Sequence, residues 1–81
     1  MYYVYLIETA HEPREVYLGR TADLRLRLAA HNAGRSPHTA GRGPWNLVCY
    51  HAFAEERRAI EFERYLKTGS GRAFRNRHFG A

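Results

Sequence analysis

The sequence predicts a single domain, residues 1–81, in which β-strands are combined with α-helices. Three segments are rich in aromatic and β-branched residues, which is typical of strands. Two other segments carry apolar residues at helical spacing. The chain is 44% apolar, an ordinary share for a folded protein, so the composition argues against disorder.

The three strand-like segments are short and bounded by turn residues. The first, YYVYLI at residues 2–7, is apolar or aromatic throughout, which indicates that both of its faces are covered. The second, EVYLG at residues 15–19, follows a turn-like stretch containing Pro13, and it predicts an antiparallel hairpin with the first. The third is WNLVCYHAF at residues 45–53.

Two helices, a loop and a C-terminal extension complete the prediction. Thr21 is a suitable N-cap for a helix over Ala22–Asn32, which Gly34 would end. A second helix is predicted over Glu55–Lys67. The tail, RAFRNRHFGA, is expected to form a last short helix or a docked extension. The segment AGRSPHTAGRGP, residues 33–44, is rich in Gly and Pro and predicts a mobile loop.

The charge balance favours an anionic partner. Thirteen Lys and Arg against eight Asp and Glu give a net charge of +5, and twelve of the thirteen cations are Arg. Because Arg forms forked hydrogen bonds to phosphate, a small basic domain indicates nucleic-acid binding; a solvated basic surface is the alternative.

Other features indicate a cytoplasmic protein without a membrane segment. No apolar run approaches the length of a membrane span. The N-terminal MYYVYLIE lacks the basic region of a signal peptide. A single cysteine, Cys49, cannot form an internal disulfide and fits a reducing cytosol.

Each predicted helix carries a polar residue close to its apolar stripe. In the first helix, Arg27 and His31 lie four residues apart and share one face, at the edge of the stripe that contains Leu24 and Leu28. In the second helix, a carboxylate occupies the i+4 place of a buried stripe, which consists of Ala59, Phe62, Glu63 and Leu66. Burying it without a partner costs several kcal/mol, so an arginine or a metal ion is expected beside it.

The tyrosines divide between core and candidate site. Alternation places Tyr3 and Tyr5 on one face of the first strand and Tyr2 on the other. Most tyrosines in a domain of this size belong to the core. Tyr17 differs because Gly19 follows it at the strand end, where a backbone can approach a ligand closely.

These motifs together resemble those of the GIY-YIG nuclease family. The segments YVY at residues 3–5 and YLG at residues 17–19 stand where the family has its two name-giving motifs. TADLRLRLAAH is similar to the family's T-x-D-L-x-x-R-L-x-x-H helix, PWNLVCY to its P-W-x-L-V-x-Y strand, and ERYLKTGSGRAF to its E-x-x-L-K helix end. The resemblance covers nearly the whole chain and is strongest to the small stand-alone bacterial members, which are related to the N-terminal nuclease module of UvrC.

The resemblance implies an α+β fold, a three-stranded antiparallel sheet flanked by helices. It also implies divalent-metal-dependent hydrolysis of DNA phosphodiesters, with Mg²⁺ or Mn²⁺ as cofactor and a role in DNA repair or processing near the nucleoid. The residues that take the family's catalytic places are Tyr5, Tyr17, Arg27, His31 and Glu63, the last as metal ligand. Asn76 is a weaker match to an asparagine found after the metal helix.

The roles within this site are partly open. Arg27 is expected to bind phosphate and Glu63 to hold the metal. We favour Tyr17 as the base and Tyr5 as an orienting donor, although the two roles could be exchanged. His31 could relay a proton, orient Tyr17 or contact phosphate. The residues expected to bind DNA are Arg20, Arg25, Arg35, Arg42, Lys67 and Arg72.

Two alternatives compete with the nuclease. The first is a DNA- or RNA-binding module without catalysis, supported by the basic surface alone. The second is an interaction domain in which Glu63 simply pairs with Arg27 and no metal binds. We expect a chain of this length to leave no room for a separate targeting domain. DNA shape or backbone rather than base sequence is therefore the expected target, with a partner protein or a homodimer as a further source of specificity.

Overall fold

The computed structural model describes residues 1–81 and shows three strands and three helices. The strands are β1 (Tyr2–Thr9), β2 (Val16–Thr21) and β3 (Trp45–Phe53). The helices are α1 (Leu24–Asn32), α2 (Glu56–Leu66) and α3 (Gly69–Phe79). The strands form one antiparallel sheet in the order β2-β1-β3, which confirms the predicted fold class.

The central strand β1 separates two apolar clusters, because alternate residues point to opposite faces of a sheet. Val4 and Leu6 face α2 and α3, where they pack with buried Leu18, Ala59 and Leu66. The other face, which α1 covers, buries Tyr5, Ile7 and Trp45 against Leu24 and Leu28. The predicted alternation of the β1 tyrosines and the inward stripes of both helices are therefore confirmed.

Helix α1 begins two residues later than predicted. Thr21 is the last residue of β2, and its Oγ1 accepts a hydrogen bond from the Asp23 backbone N–H at 3.1 Å. Asp23 is the N-cap instead, since its backbone is extended and its carboxylate accepts from the Leu26 N–H at 3.0 Å. The Thr21 hydroxyl thus caps the turn that precedes the helix rather than the helix itself.

The C-terminal tail forms a full helix that starts three residues before the predicted tail. Thr68 caps α3 by accepting from the Gly71 N–H at 3.1 Å. Gly71 lies so close to α2 that a Cβ there would overlap the Tyr65 carbonyl oxygen, so only glycine permits this approach. Gly71, which allows the contact, and Gly69 both lower helix propensity, which is why the sequence did not predict the first turn.

The segment 33–44 was predicted to be a mobile loop, but its middle is packed into the protein. Ser36 and Thr39 are 1% and 0% exposed, and both bond to side chains of α1. The composition was misleading because small polar residues suit solvent loops and also fit tightly against buried polar groups.

None of the helices is long and apolar enough to cross a membrane.

Candidate active site

A buried hydrogen-bonded chain joins β1, α1 and the following loop. The Tyr5 hydroxyl lies 2.7 Å from His31 Nε2, and His31 Nδ1 lies 2.6 Å from Thr39 Oγ1. All three side chains are 1% exposed or less. The His31 ring therefore has both nitrogens paired inside the protein and does not face a substrate phosphate.

Arg27, which can only donate, adds a hydrogen bond to this buried network. Its Nε–H donates to the Tyr5 hydroxyl oxygen at 3.3 Å, and the same oxygen lies 2.7 Å from His31 Nε2. A neutral His31 ring donates through one nitrogen and accepts through the other, so it joins Tyr5 to Thr39 in either tautomer. Burial lowers the pKa of His31, and the positive charge of Arg27 lowers it further, both of which favour this neutral form.

Arg27 is held between the sheet and the loop. Besides Tyr5, it donates from Nη2 to Ser36 Oγ at 3.3 Å. The Tyr17 hydroxyl also interacts with this guanidinium, which helps to raise its pKa, although the bond to Tyr5 is the larger cause. The Arg27 side chain is half-buried, so part of it stays exposed to solvent while these bonds fix the guanidinium.

Tyr5 is unsuited to act as a base. Burial raises its pKa above the usual tyrosine value, and this outweighs the lowering effect of the Arg27 bond and charge. Tyr17 and Glu63 add smaller effects in the raising direction. The Glu63 carboxylate is therefore within electrostatic reach of Tyr5, and the raised pKa keeps the Tyr5 phenol protonated.

Gly19 creates the space that Tyr5 occupies. The two residues are paired across β1 and β2, and a Cβ at position 19 would overlap the Tyr5 hydroxyl and lie 2.9 Å from Tyr17 Cε2. Tyr17 stands beside this space, with its ring 5.1 Å from that of His31 and stacked at 6.2 Å on His38. Tyr17 is half-buried, so it is the more accessible of the two phenols.

Glu63 reaches the site from α2. Its side chain is 17% exposed and accepts hydrogen bonds from Arg20 Nε at 3.2 Å and from Lys67 Nζ at 3.3 Å. Side chains alternate along β2, so Leu18 and Arg20 point to the α2 face of the sheet and Tyr17 points to the α1 face. Glu63 therefore meets β2 from the side opposite Tyr17. The predicted compensating arginine exists but is Arg20, and the Glu63–Arg27 pair expected for the interaction domain is absent.

The carboxylate could hold a metal only as a single protein ligand. No cluster of three His, Cys, Asp or Glu side chains is present anywhere in the protein. Mg²⁺ accepts such a site, because it keeps several waters and takes further oxygens from substrate phosphate. The carboxylate oxygens of Glu63 therefore fit a hydrated divalent cation, which would replace Arg20 and Lys67 as their partner.

The six residues predicted to bind DNA fall on different parts of the surface. Arg20 is held by Glu63 and, at 3.5 Å, by Glu56. Arg25 lines a groove of α1 beside Tyr3 and Tyr50, on the other side of the sheet from α2. Arg20 and Arg25 therefore lie on opposite sides of the sheet and do not form one basic patch.

The remaining four separate into two pairs. Arg35 and Arg42 lie in the loop, where Arg35 is exposed and Arg42 is tied to Glu15 at 3.0 Å. Lys67 and Arg72 instead share a groove of about 650 Å³ beside β2, which Tyr17 also lines. Only this second pair lies next to a predicted catalytic residue.

Sequence reasoning missed several residues around the site. Ser36, His38 and Thr39 fall in the segment that was predicted to be a loose loop, yet all three contact predicted site residues. Arg14 and Arg75 join the groove of Lys67 and Arg72. The alternation of buried and exposed polar residues in the loop leaves no periodic signal, so only the folded structure identifies them.

A comparison of the sequence with known protein families agrees with this site. The site consists of two phenols, a fixed guanidinium and one carboxylate around the end of β2. The sequence model of the GIY-YIG catalytic domain matches residues 1–77. The chain belongs to the GIY-YIG family. The resemblance found in the motifs is thus confirmed, and the protein is a member of a nuclease family.

Individual relatives support the same assignment. A UPF0213 protein of Clostridium perfringens is 40% identical over 68 residues, which cover 83% of this chain and 71% of the relative. The solution NMR structure of a UPF0213 protein from Bacillus halodurans is similar over 99% of this GIY-YIG chain and 88% of the other, with a TM-score of 0.57 and 29% identity. The mouse structure-specific endonuclease subunit SLX1 is 38% identical over 68 residues, but these cover only 25% of its length and 78% of this chain.

Proposed function

We propose that this GIY-YIG protein is a divalent-metal-dependent DNA endonuclease that recognises DNA shape or backbone. The observation that carries the proposal is the fixed Arg27 guanidinium, which stands beside Tyr17 and Tyr5 with the Glu63 carboxylate in electrostatic reach. A cation, a phenol and a lone carboxylate are the groups that phosphodiester hydrolysis needs. The identity to a structure-specific endonuclease subunit supports a role on structured DNA together with a partner subunit. We further propose, as the setting, DNA repair or processing in the cytoplasm near the nucleoid, with a second copy of the chain as the alternative partner.

In this mechanism Arg27 binds a non-bridging oxygen of the scissile phosphate through its outward N–H groups. Tyr17, the more accessible phenol, orients the attacking water. As the water oxygen bonds to phosphorus, the ester bond from phosphorus to the leaving oxygen breaks. The Tyr17 hydroxyl accepts the proton of the water and passes its own to solvent, and the leaving oxygen takes a proton from solvent. Tyr5 stays protonated, because burial raises its pKa, and its hydroxyl oxygen accepts a hydrogen bond that fixes Arg27. His31 and Thr39 are positioning residues behind Tyr5 rather than groups that touch the substrate.

Glu63 is the residue that would hold the metal, Mg²⁺ or Mn²⁺. When bound there, the ion supplies Lewis-acid stabilisation of the negative charge that develops on the phosphate and the leaving oxygen. Arg20 and Lys67 orient the carboxylate through their ion pairs until the ion arrives. Their retreat leaves both cations free to face the incoming DNA backbone.

The test is cleavage of duplex, branched and single-stranded DNA with Mg²⁺ or Mn²⁺ by Glu63→Gln and Arg27→Ala. We expect each variant to lose about 100- to 1,000-fold in rate, the usual cost of removing one such group. Glu61→Gln is the matched control, because Glu61 lies on the same helix, is exposed and makes no ion pair. Undiminished cleavage by either site variant would refute the proposed machinery.

The basic surface keeps a nucleic-acid-binding module without catalysis as the second candidate. It predicts DNA binding that is unaffected by EDTA and no cleavage of any of the three substrates by the wild-type protein. The same assay, run with a binding measurement, therefore separates the two functions.

A further inference from the structure

A groove beside the free edge of β2 contains two arginines for which the proposed reaction has no use. Strand β2 pairs only with β1, so its other edge is open. The groove along it has a volume of about 650 Å³ and brings together Val16, Tyr17 and Leu18 of β2 with side chains from α3 and its surroundings, among them Arg14, Lys67, Arg72 and Arg75.

The cations in this groove differ in how they are neutralised. Arg14 is paired with Glu8 at 2.6 Å, and Lys67 is paired with Glu63 at 3.3 Å. None of the six ion pairs in the protein includes Arg72 or Arg75. The positive charge of the groove that no carboxylate side chain neutralises therefore resides in the two arginines of α3.

These two arginines are held close together despite their like charge. They are three residues apart on α3 and so share one face of the helix. Arg75 is fixed by donating from Nε to the Ala81 main-chain oxygen at 3.2 Å and from Nη1 to that of Leu66 at 3.3 Å. Burial lowers its pKa, and the charge of Arg72 lowers it further, as expected for two neighbouring like charges that repel each other. An anion between them would remove that repulsion.

We propose that Arg72 and Arg75 form a phosphate site, which binds the DNA backbone next to the phosphate that is cleaved. The proposal rests on the proposed function for its ligand, and it assigns the path of the strand: along the β2 edge, past Tyr17 to α3, and not across the loop of Arg35 and Arg42. Tyr17 lines the groove and borders the catalytic cluster, so the two sites are continuous. The fork of a guanidinium matches two oxygens of a phosphodiester.

The first arm of the test is DNA binding in EDTA, so that cleavage does not enter. The variants are Arg72→Ala, which removes an exposed side chain, and Arg75→Gln, which keeps hydrogen-bond donors but not the charge. Arg77→Ala is the matched control, since Arg77 is exposed on the same helix and does not line the groove. Affinity for a labelled DNA duplex and for a single strand is measured at several salt concentrations.

We expect Arg72→Ala to weaken binding by about five- to tenfold and to reduce the slope of log K against log salt by roughly 0.7–0.9, the effect of one lost phosphate contact. Arg75→Gln should act in the same direction, and Arg77→Ala should stay within about twofold of the wild type. Equal effects of Arg72→Ala and Arg77→Ala would overturn the proposal, because the loss would then reflect net charge alone.

The second arm distinguishes a DNA strand from free phosphate. Thermal unfolding is followed with inorganic phosphate added to the wild type and to Arg72→Ala. Protection by phosphate together with DNA affinities that do not differ among the variants would overturn the assignment of the strand. A wild type that never cleaves but shows the expected binding pattern would refute the proposed function and leave the groove assignment supported.

Discussion

At the scale of single residues, the pairing of a neutral His31 makes stability depend on pH. Its pKa in the folded state lies below the ordinary histidine value of about 6.5, so the unfolded chain binds a proton first as the pH falls. The stabilisation is complete above about pH 6.5 and is lost as the pH falls toward the folded-state pKa, at about 1.4 kcal/mol per unit of pKa difference.

We therefore expect the free energy of unfolding in urea to fall between pH 7.5 and pH 5.5 by more in the wild type than in His31→Gln. His51→Gln serves as a comparison, because burial also lowers the pKa of His51 outside the site. Identical pH dependence in the wild type and His31→Gln would contradict a buried neutral imidazole at position 31.

Gly19 offers a second test at this scale, because its missing side chain makes room for Tyr5. Gly19→Ala should destabilise the protein by about 1–3 kcal/mol, the usual cost of overpacking, since Tyr5 is fixed by His31 and cannot move freely. Urea unfolding measures the loss. Gly69→Ala is the control, as no atom lies within 4 Å of a Cβ there. The cost at position 19 should shrink in a Tyr5→Phe background, and full additivity of the two changes would speak against the contact.

At the scale of the helices and strands, the close approach of α3 to α2 depends on Gly71. A Cβ at this position would overlap backbone atoms of Tyr65 and Leu66, which cannot rotate away as a side chain can. Gly71→Ala should therefore separate the two helices and cost about 2–3 kcal/mol or more, although alanine favours a helix. The measurement is the urea midpoint together with far-UV circular dichroism. A stability equal to that of Gly69→Ala would rule out the close packing.

The elements also show what the sequence could predict. All three strands, α2 and the body of α1 were predicted because their apolar spacing reflects burial on a sheet face or a helix stripe. The start of α3 was not predicted, because Gly71 allows close contact with Tyr65 there and glycine has a low helix propensity. Helix α1 was capped at the wrong residue because Thr21 and Asp23 are both good caps, and only the end of β2 decides between them.

At the scale of the whole molecule, the predicted site residues came together because motif and periodicity identified each of them separately. Tyr5, Tyr17, Arg27 and His31 lie in one cluster, and Glu63 approaches from the other helix layer. The basic residues were harder to predict, because charge alone does not say which arginine pairs with a neighbouring carboxylate. Arg20 and Arg42 were such cases, and the partnerless Arg72 emerges only when every ion pair is known.

The docking of Ser36 and Thr39 against α1 divides the loop into two parts with different freedom. Both residues bond to α1 side chains, so the backbone between them has a fixed span. A one-residue deletion or insertion there would pull Arg27 and His31 out of alignment together. The stretch from Ala40 to Gly43 is exposed and makes no such bonds to α1 side chains; its attachment is Arg42, which bonds to His11 and Glu15. Differences in chain length between related proteins should therefore be found beside Arg42 in this stretch rather than between Ser36 and Thr39.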